Sequence, residues 1–171
     1  MGYLLLQLET PLDGVIEAAR IAHEAGAVVI LDPAPARPLP DALLSLCDYV
    51  TPNETELATL TGLSVESDED ALAACRALLA RGAKAVVHKR GARGALWVDE
   101  THAVPVAGRR VKAVDTTAAG DTFNAGFATG LAEGMSVEDA LDLANVAAAI
   151  STTAPGAQTA MPGRLSLHSD R

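Results

Sequence analysis

Hydrophobic positions along this chain follow two rhythms that take turns. Tyr3-Leu-Leu-Leu-Gln-Leu-Glu9 is an almost continuous apolar run, the pattern of a strand covered on both faces. A buried strand at the start of a chain predicts partner structure upstream of it. The spacing that follows predicts a helix with Thr10 as N-cap and Pro11 at its first position, running to about Ala25 and ended by Gly26. Ala27 to Leu31 is a second apolar strand. The segment Asp32 to Pro40, with Pro33, Pro35, Pro38 and Pro40, is a rigid loop after it. Asp41 to Cys47 reads as a short helix and Tyr49 to Thr51 as a short strand. One helix then starts at Asn53 and ends at Gly62, and another runs from Ser67 to about Arg81.

Lys84 to Lys89 is again strand-like, and Gly91-Ala-Arg-Gly94 is a glycine turn. Ala95 to Val98 and His102 to Val106 alternate around Asp99-Glu100, as in a hairpin. The apolar Val111 to Val114 predicts a strand leading into a helix over about Gly120 to Glu133, closed by Gly134. Ser136 caps a last helix reaching about Ser151; beyond Pro155 the pattern is irregular, and the residues from about Arg164 to Arg171 read as a frayed tail. Strands alternating with helices predict an α/β fold, a mostly parallel sheet with helices on both faces. In such sheets ligands bind at the carboxyl ends of the strands, where every conspicuous motif falls. A length of 171 residues suits a single core.

The chemistry centres on Asp115-Thr-Thr-Ala-Ala-Gly-Asp-Thr-Phe-Asn-Ala-Gly126. A helix that begins near Gly120 presents the N–H groups of Ala118, Ala119, Gly120 and Asp121 with roughly half a positive charge behind them, a ready anion site. Asp121 sits at the same helix start, where a carboxylate can take the proton of a hydroxyl that attacks a bound phosphate. An anion hole beside a base points to phosphoryl transfer to an alcohol. A lone Gly-Asp pair would more often be a plain helix start, and Asp115 a plain turn residue.

Composition narrows the reading. The formal charge of −9 and the lack of a basic cluster with interleaved aromatics argue against nucleic-acid or anionic-membrane partners. Cys47 and Cys75 stand alone at apolar or helical positions, which fits buried, reduced thiols and a cytoplasmic setting. His23, His88, His102 and His168 are too scattered to form a metal site.

The central string closely resembles the D-T-x-A-A-G-D-T-F signature of the ribokinase, or PfkB-type, carbohydrate kinases. Other segments match in the same order. Gln7-Leu-Glu9-Thr-Pro-Leu12 is similar to the family's Q-L-E-x-P-L segment, which implies that Glu9 contacts sugar hydroxyls. Asp32-Pro-Ala-Pro-Ala36 resembles N-P-A-P-A, with Asp in place of Asn, and reads as mainly structural. Thr51-Pro-Asn-Glu-Thr-Glu56 looks like T-P-N-E-x-E, implying that Asn53 contacts nucleotide phosphate and that Glu56 helps position Mg²⁺ through water. Lys89-Arg-Gly-Ala-Arg-Gly94 resembles the T-L-G-x-x-G nucleotide loop, carried by Gly91 and Gly94, with Lys89 where Thr is usual. Asn145 aligns with a position near the adenine ring. Asp115 and Thr117, with Ser151, Ala154, Gly156 and Ala160, match a monovalent-cation site, Ala160 replacing a Ser.

The resemblance runs from Leu4 to about Pro162 and implies a ribokinase-like, Rossmann-type layered fold of which residues 1–171 are the C-terminal nucleotide-binding portion. The N-terminal part and its β-lid would be missing. It further implies ATP, Mg²⁺ and K⁺ as ligands and a reaction of ATP with D-ribose giving ribose 5-phosphate and ADP. Asp121 would be the general base, Glu9 would orient the sugar, and Ala118 to Asp121 would hold the transferred phosphoryl group. The full-length form would be a homodimer, and the truncated chain would be impaired as a kinase. Two alternatives stay open: a PfkB-type kinase for another sugar or a nucleoside, and a non-catalytic nucleotide- or partner-binding half-domain whose first strand offers a bare edge.

Overall fold

A computed structural model of the chain describes residues 1–163; the expected frayed tail at 164–171 lies outside the described residues. The elements in order are β1 (Tyr3–Leu6), α1 (Leu12–Glu24), β2 (Val28–Leu31), α2 (Asp41–Leu44), β3 (Tyr49–Val50), α3 (Glu54–Thr61), α4 (Asp68–Ala80) and β4 (Val86–Lys89). A 3-10 turn (Gly91–Arg93), β5 (Ala95–Val98), β6 (Ala103–Val106), α5 (Ala119–Ala132) and α6 (Val137–Ser151) complete the chain. The six strands form one sheet in the order β1-β2-β3-β4-β5-β6. β1 to β4 run parallel, with Leu4 opposite Val29, Ile30 opposite Tyr49, and Val50 opposite Val86. The connections 90–94 and 99–102 are too short for a parallel crossover, so β5 and β6 return antiparallel and the sheet is mixed.

Where the length alone leads to one core, the described residues divide into two compact units. The first is Met1–Arg90 with Leu96–Val104; the second is Gly91–Ala95 with the described residues from Pro105 onward. In the first unit, β2 buries Val29, Ile30 and Leu31 in succession. Successive strand side chains point to opposite faces, so β2 is covered on both. Around it Leu43, Leu44, Val50, Leu57, Leu78 and Val86 are fully buried. Cys47 and Cys75 lie in the same core, and burial pushes both thiols up to about 12. β1 pairs only with β2 among the described residues, and its Leu5 is 44% exposed.

The helix starts are set by caps. Asn53 accepts from the Glu56 N–H while the Glu56 carboxylate accepts from the Asn53 N–H, a reciprocal capping box; Ser67 and Asp70 form another. Ser136 accepts from the Asp139 N–H at the start of α6. α1 corrects the expected start. Pro11, with φ −53° and ψ 133°, is itself the N-cap residue and Leu12 the first helical one, so Thr10 does not cap; the Pro11 carbonyl accepts from Gly14 and Val15.

In the second unit α5 and α6 approach unusually closely. A Cβ on Gly130 would lie 2.8 Å from the Ala140 Cα, and one on Gly126 would lie 3.0 Å from the Ala144 Cα. These two glycines, one turn apart, let the backbones meet over Phe123, Phe127, Leu141 and Leu143, all buried.

Two expectations about strands fail. Val111–Val114 forms no strand: Val111 and Val114 are 44% and 64% exposed, and the N–H groups of Val114 and Asp115 both donate to the Thr152 carbonyl rather than to a ladder partner. β5 does not alternate, since all four of its residues are buried, whereas β6 does. Among the described residues no helix is long and apolar enough to cross a membrane.

Candidate active site

The first unit gathers its candidate residues at the carboxyl ends of β2, β3 and β4. Asp32 follows β2, its N–H donating to the Leu6 carbonyl at 2.8 Å. Thr51 follows β3 and donates to the Leu31 carbonyl, while the N–H of Lys89, last in β4, donates to the Pro52 carbonyl at 2.8 Å. Asn53 caps α3 directly after β3. Its N–H and its Nδ2 reach the two Glu56 carboxylate oxygens at 2.7 and 2.9 Å. Glu56 is buried, and burial raises its carboxyl above the ordinary carboxylate range; the Asn53 N–H and the Lys89 charge pull it back, and Asp32 adds to the rise. Glu9 is exposed, three residues past the end of β1.

In the second unit the candidate residues gather in the loop before α5. Ala118, the N-cap residue, takes the left-handed conformation with φ 58°, and its carbonyl accepts from both the N–H and the Oγ1 of Thr122 at 2.9 Å. The Ala119 N–H, one of the four expected anion donors, is taken by the Thr116 carbonyl at 3.2 Å. Among the described residues, the N–H groups of Ala118 and Gly120 have no internal acceptor. Asp121 stands exposed in the first turn of α5.

Asp115 accepts from the Thr117 hydroxyl, from the Thr117 N–H at 2.8 Å and from the Gly156 N–H at 3.0 Å. These bonds, the hydroxyl's foremost, push its carboxyl down to about 2. The structure thus brings Asp115, Thr117 and Gly156 together. Ser151 is buried and spends its hydroxyl on the Ala148 carbonyl at 2.7 Å; Ala154 is half-buried and Ala160 buried. With both Asp115 oxygens engaged, a monovalent cation here would draw mainly on backbone carbonyls, a donor set that suits K⁺.

Gly91 and Gly94 have φ 56° and 89°. A Cβ on Gly94 would come within 2.1 Å of the Val106 carbonyl, so its glycine is demanded by the 106–108 backbone crossing it. Asn145 is buried, its Nδ2 donating to the carbonyls of Ala107 at 3.1 Å and Val106 at 3.4 Å, so it ties α6 to the end of β6.

For a divalent ion the donors are oxygens, which suit Mg²⁺. Among the described residues no group of three or more His, Cys, Asp or Glu could hold a metal by itself. Glu56, with both oxygens already accepting one bond each, fits a contact to a hydrated ion that takes its remaining ligands from phosphate.

Asp32, taken as mainly structural, pairs with Lys89 at 2.9 Å. The signal was present in the pattern: the two departures from the resembled motifs carry opposite charges.

Residues 1–164 match the profile described as pfkB family carbohydrate kinase. The chain belongs to this family. It is 47% identical to the ribokinase of Haemophilus influenzae over 94% of its own length and 53% of that protein, and 39% identical to the deoxyribokinase of Salmonella typhi over 93% and 52%. Its fold superposes on the Arabidopsis thaliana ribokinase solved in complex with ribose and ATP with a TM-score of 0.95 at 37% identity, covering 98% of this chain and 55% of that one. The chain therefore spans about half the length of these relatives. The pfkB-family match extends over both units.

Proposed function

We propose that these residues are the nucleotide-binding and catalytic portion of a ribokinase. The observation that carries this reading is the start of α5: a left-handed Ala118, unpaired N–H groups at Ala118 and Gly120, and an exposed Asp121 one residue on. In the reaction Asp121 takes the proton of the primary 5-hydroxyl of D-ribose. The freed electron pair forms a bond to the γ-phosphorus of ATP, the bond to the β,γ-bridging oxygen breaks, and ADP leaves with that pair.

The N–H groups of Ala118, Gly120 and Asp121 hold the charge that builds on the transferred group, and loss of such a donor costs on the order of a hundredfold in rate. Glu9 orients the sugar. Asn53, Gly91 and Gly94 bind phosphates, and Asn145 lies toward the adenine. Glu56, held by Asn53, would help hold a hydrated Mg²⁺. When bound, Mg²⁺ neutralises phosphate oxygens and K⁺ adds positive field near the anion hole. Taken alone, the 171 residues bind nucleotide but turn over ribose slowly or not at all. In support, they cover 53% of the Haemophilus influenzae ribokinase, and the resemblance puts the water-excluding lid in the remainder.

The test is calorimetry with ATP, Mg²⁺ and K⁺ on the chain and on its Asp121→Ala and Gly120→Val variants. Binding retained in Asp121→Ala and lost in Gly120→Val is the expected result. A parent chain that binds no ATP overturns the reading, and ribose turnover by the chain at a normal rate overturns the proposed impairment.

A second acceptor, a deoxysugar, is favoured by the Salmonella typhi deoxyribokinase similarity, and a panel of sugars separates it from ribose. A partner-binding role is favoured by β1, which pairs only with β2 among the described residues; gel filtration giving a clean monomer argues against it.

A further inference from the structure

The carboxyl ends of β2 and β4 hold a nearly buried ion pair. Lys89 Nζ donates to Asp32 Oδ1 at 2.9 Å, and the side chains are 12% and 6% exposed. Taking two charges out of water is costly, and apolar residues of similar size commonly serve stability as well or better. This pair sits at the strand ends where ligands of parallel sheets bind, beside the buried Glu56 whose carboxylate feels both charges. Among the described residues Asp32 is the only acceptor of the Lys89 ammonium, which leaves two of its three N–H donors for a ligand.

We propose that Asp32 is a positioning residue for the nucleotide phosphates. It fixes the Lys89 ammonium at the end of β4, and Lys89 gives its remaining donors to a phosphate oxygen while still paired. The inference rests on the phosphoryl-transfer reading above. The two residues then act as a unit. Lys89→Thr leaves the Asp32 charge facing both Glu56 and the incoming phosphate. Asp32→Asn releases the ammonium to other positions. Replacing both removes the pair without a stray charge.

The experiment is a double-mutant cycle on the whole chain with Lys89→Thr, Asp32→Asn and their combination. ATP affinity is measured by calorimetry at two salt concentrations, and Tm by circular dichroism. Lys89→Thr is expected to weaken ATP binding about tenfold and Asp32→Asn about threefold, with the double variant within about threefold of the parent, a strongly non-additive cycle. Asp32→Asn is also expected to steepen the salt dependence, because an unpaired ammonium is screened more readily. Coupling seen in Tm with unchanged ATP affinity would make the pair a fold staple only and overturn the proposal, as would additive affinity changes. Should Lys89→Thr fail to fold, Asp32→Asn decides alone, since unchanged affinity and salt slope overturn the proposal. A parent chain that binds neither ATP nor tripolyphosphate removes the underlying reading and this inference with it. Binding by the parent with an additive cycle removes this inference alone.

Discussion

The Gly156 N–H donates to Asp115 Oδ2 at 3.0 Å, so a single carboxylate closes the chain between the α5 loop and the segment after α6. The same carboxylate takes the Thr117 N–H and hydroxyl. These bonds favour its charged form, and its pKa falls to about 2. The folded value lies below the unfolded one, so the contribution is complete above about pH 4 and is lost as pH falls through about 2. Amide hydrogen exchange at Gly156 and Thr117 is expected to accelerate over that window, and Asp115→Ala is expected to show fast exchange at neutral pH. Unchanged protection in the variant would break this account.

Ala118 is the one described non-glycine residue with positive φ. A left-handed Cβ costs about 1–2 kcal/mol, and glycine in the unfolded chain returns part of that, so Ala118→Gly is expected to stabilise by about 0.5 kcal/mol. Ala118→Val, branched at Cβ, is expected to destabilise by more than about 1 kcal/mol. Urea unfolding of the three proteins checks the order. If the Gly variant also loses ATP affinity, the constrained Ala118 is holding the anion hole in shape.

Two glycines in helices predict opposite signs for adding a methyl group. Gly130→Ala drives a Cβ to 2.8 Å from the Ala140 backbone and is expected to cost about 2 kcal/mol. Gly14, in α1 with nothing within 4 Å of its Cβ position, is expected to gain about 0.5–1 kcal/mol on becoming Ala. Denaturant midpoints at constant m-value test both.

Asn53→Ala removes the acceptor for the Glu56 N–H and the Nδ2 donor to Glu56, with an expected cost of about 1 kcal/mol. Glu56 supplies a pH signature as well. Burial raises its carboxyl, so the folded state holds that proton more tightly than the unfolded chain, and stability declines as pH rises through the folded value. Glu56→Gln is expected to flatten stability over that range. A slope identical to the parent's would place the titration elsewhere.

Much of this was legible in the chain because the signals are local. The capping boxes at Asn53 and Ser67 and the cap at Ser136 are written within four residues, and the apolar runs of β1, β2 and β4 need no distant partner to be recognised. What was not legible depends on distant pairing. Val111 to Val114 has a strand's composition, yet the Thr152 carbonyl takes the N–H groups of Val114 and Asp115, and no periodicity shows that. Asn145 reaches the carbonyls of Val106 and Ala107 from 39 and 38 residues away, and Lys89 finds Asp32 across 57. The α5 start was recognisable as a string of residues, but the Thr116 carbonyl that claims the Ala119 N–H belongs to the loop's own geometry.

The burial of Cys47 and Cys75 has a practical outcome. Both thiols lie in the first unit and are held protonated to about pH 12, so neither is a nucleophile while that core is closed. Since the second unit has no cysteine, the speed at which a thiol reagent labels the chain is a clock for opening of the first unit alone. Slowing of that clock by added ATP would measure, in one reaction, how strongly nucleotide closes the half of the chain that carries Asn53, Glu56 and Lys89.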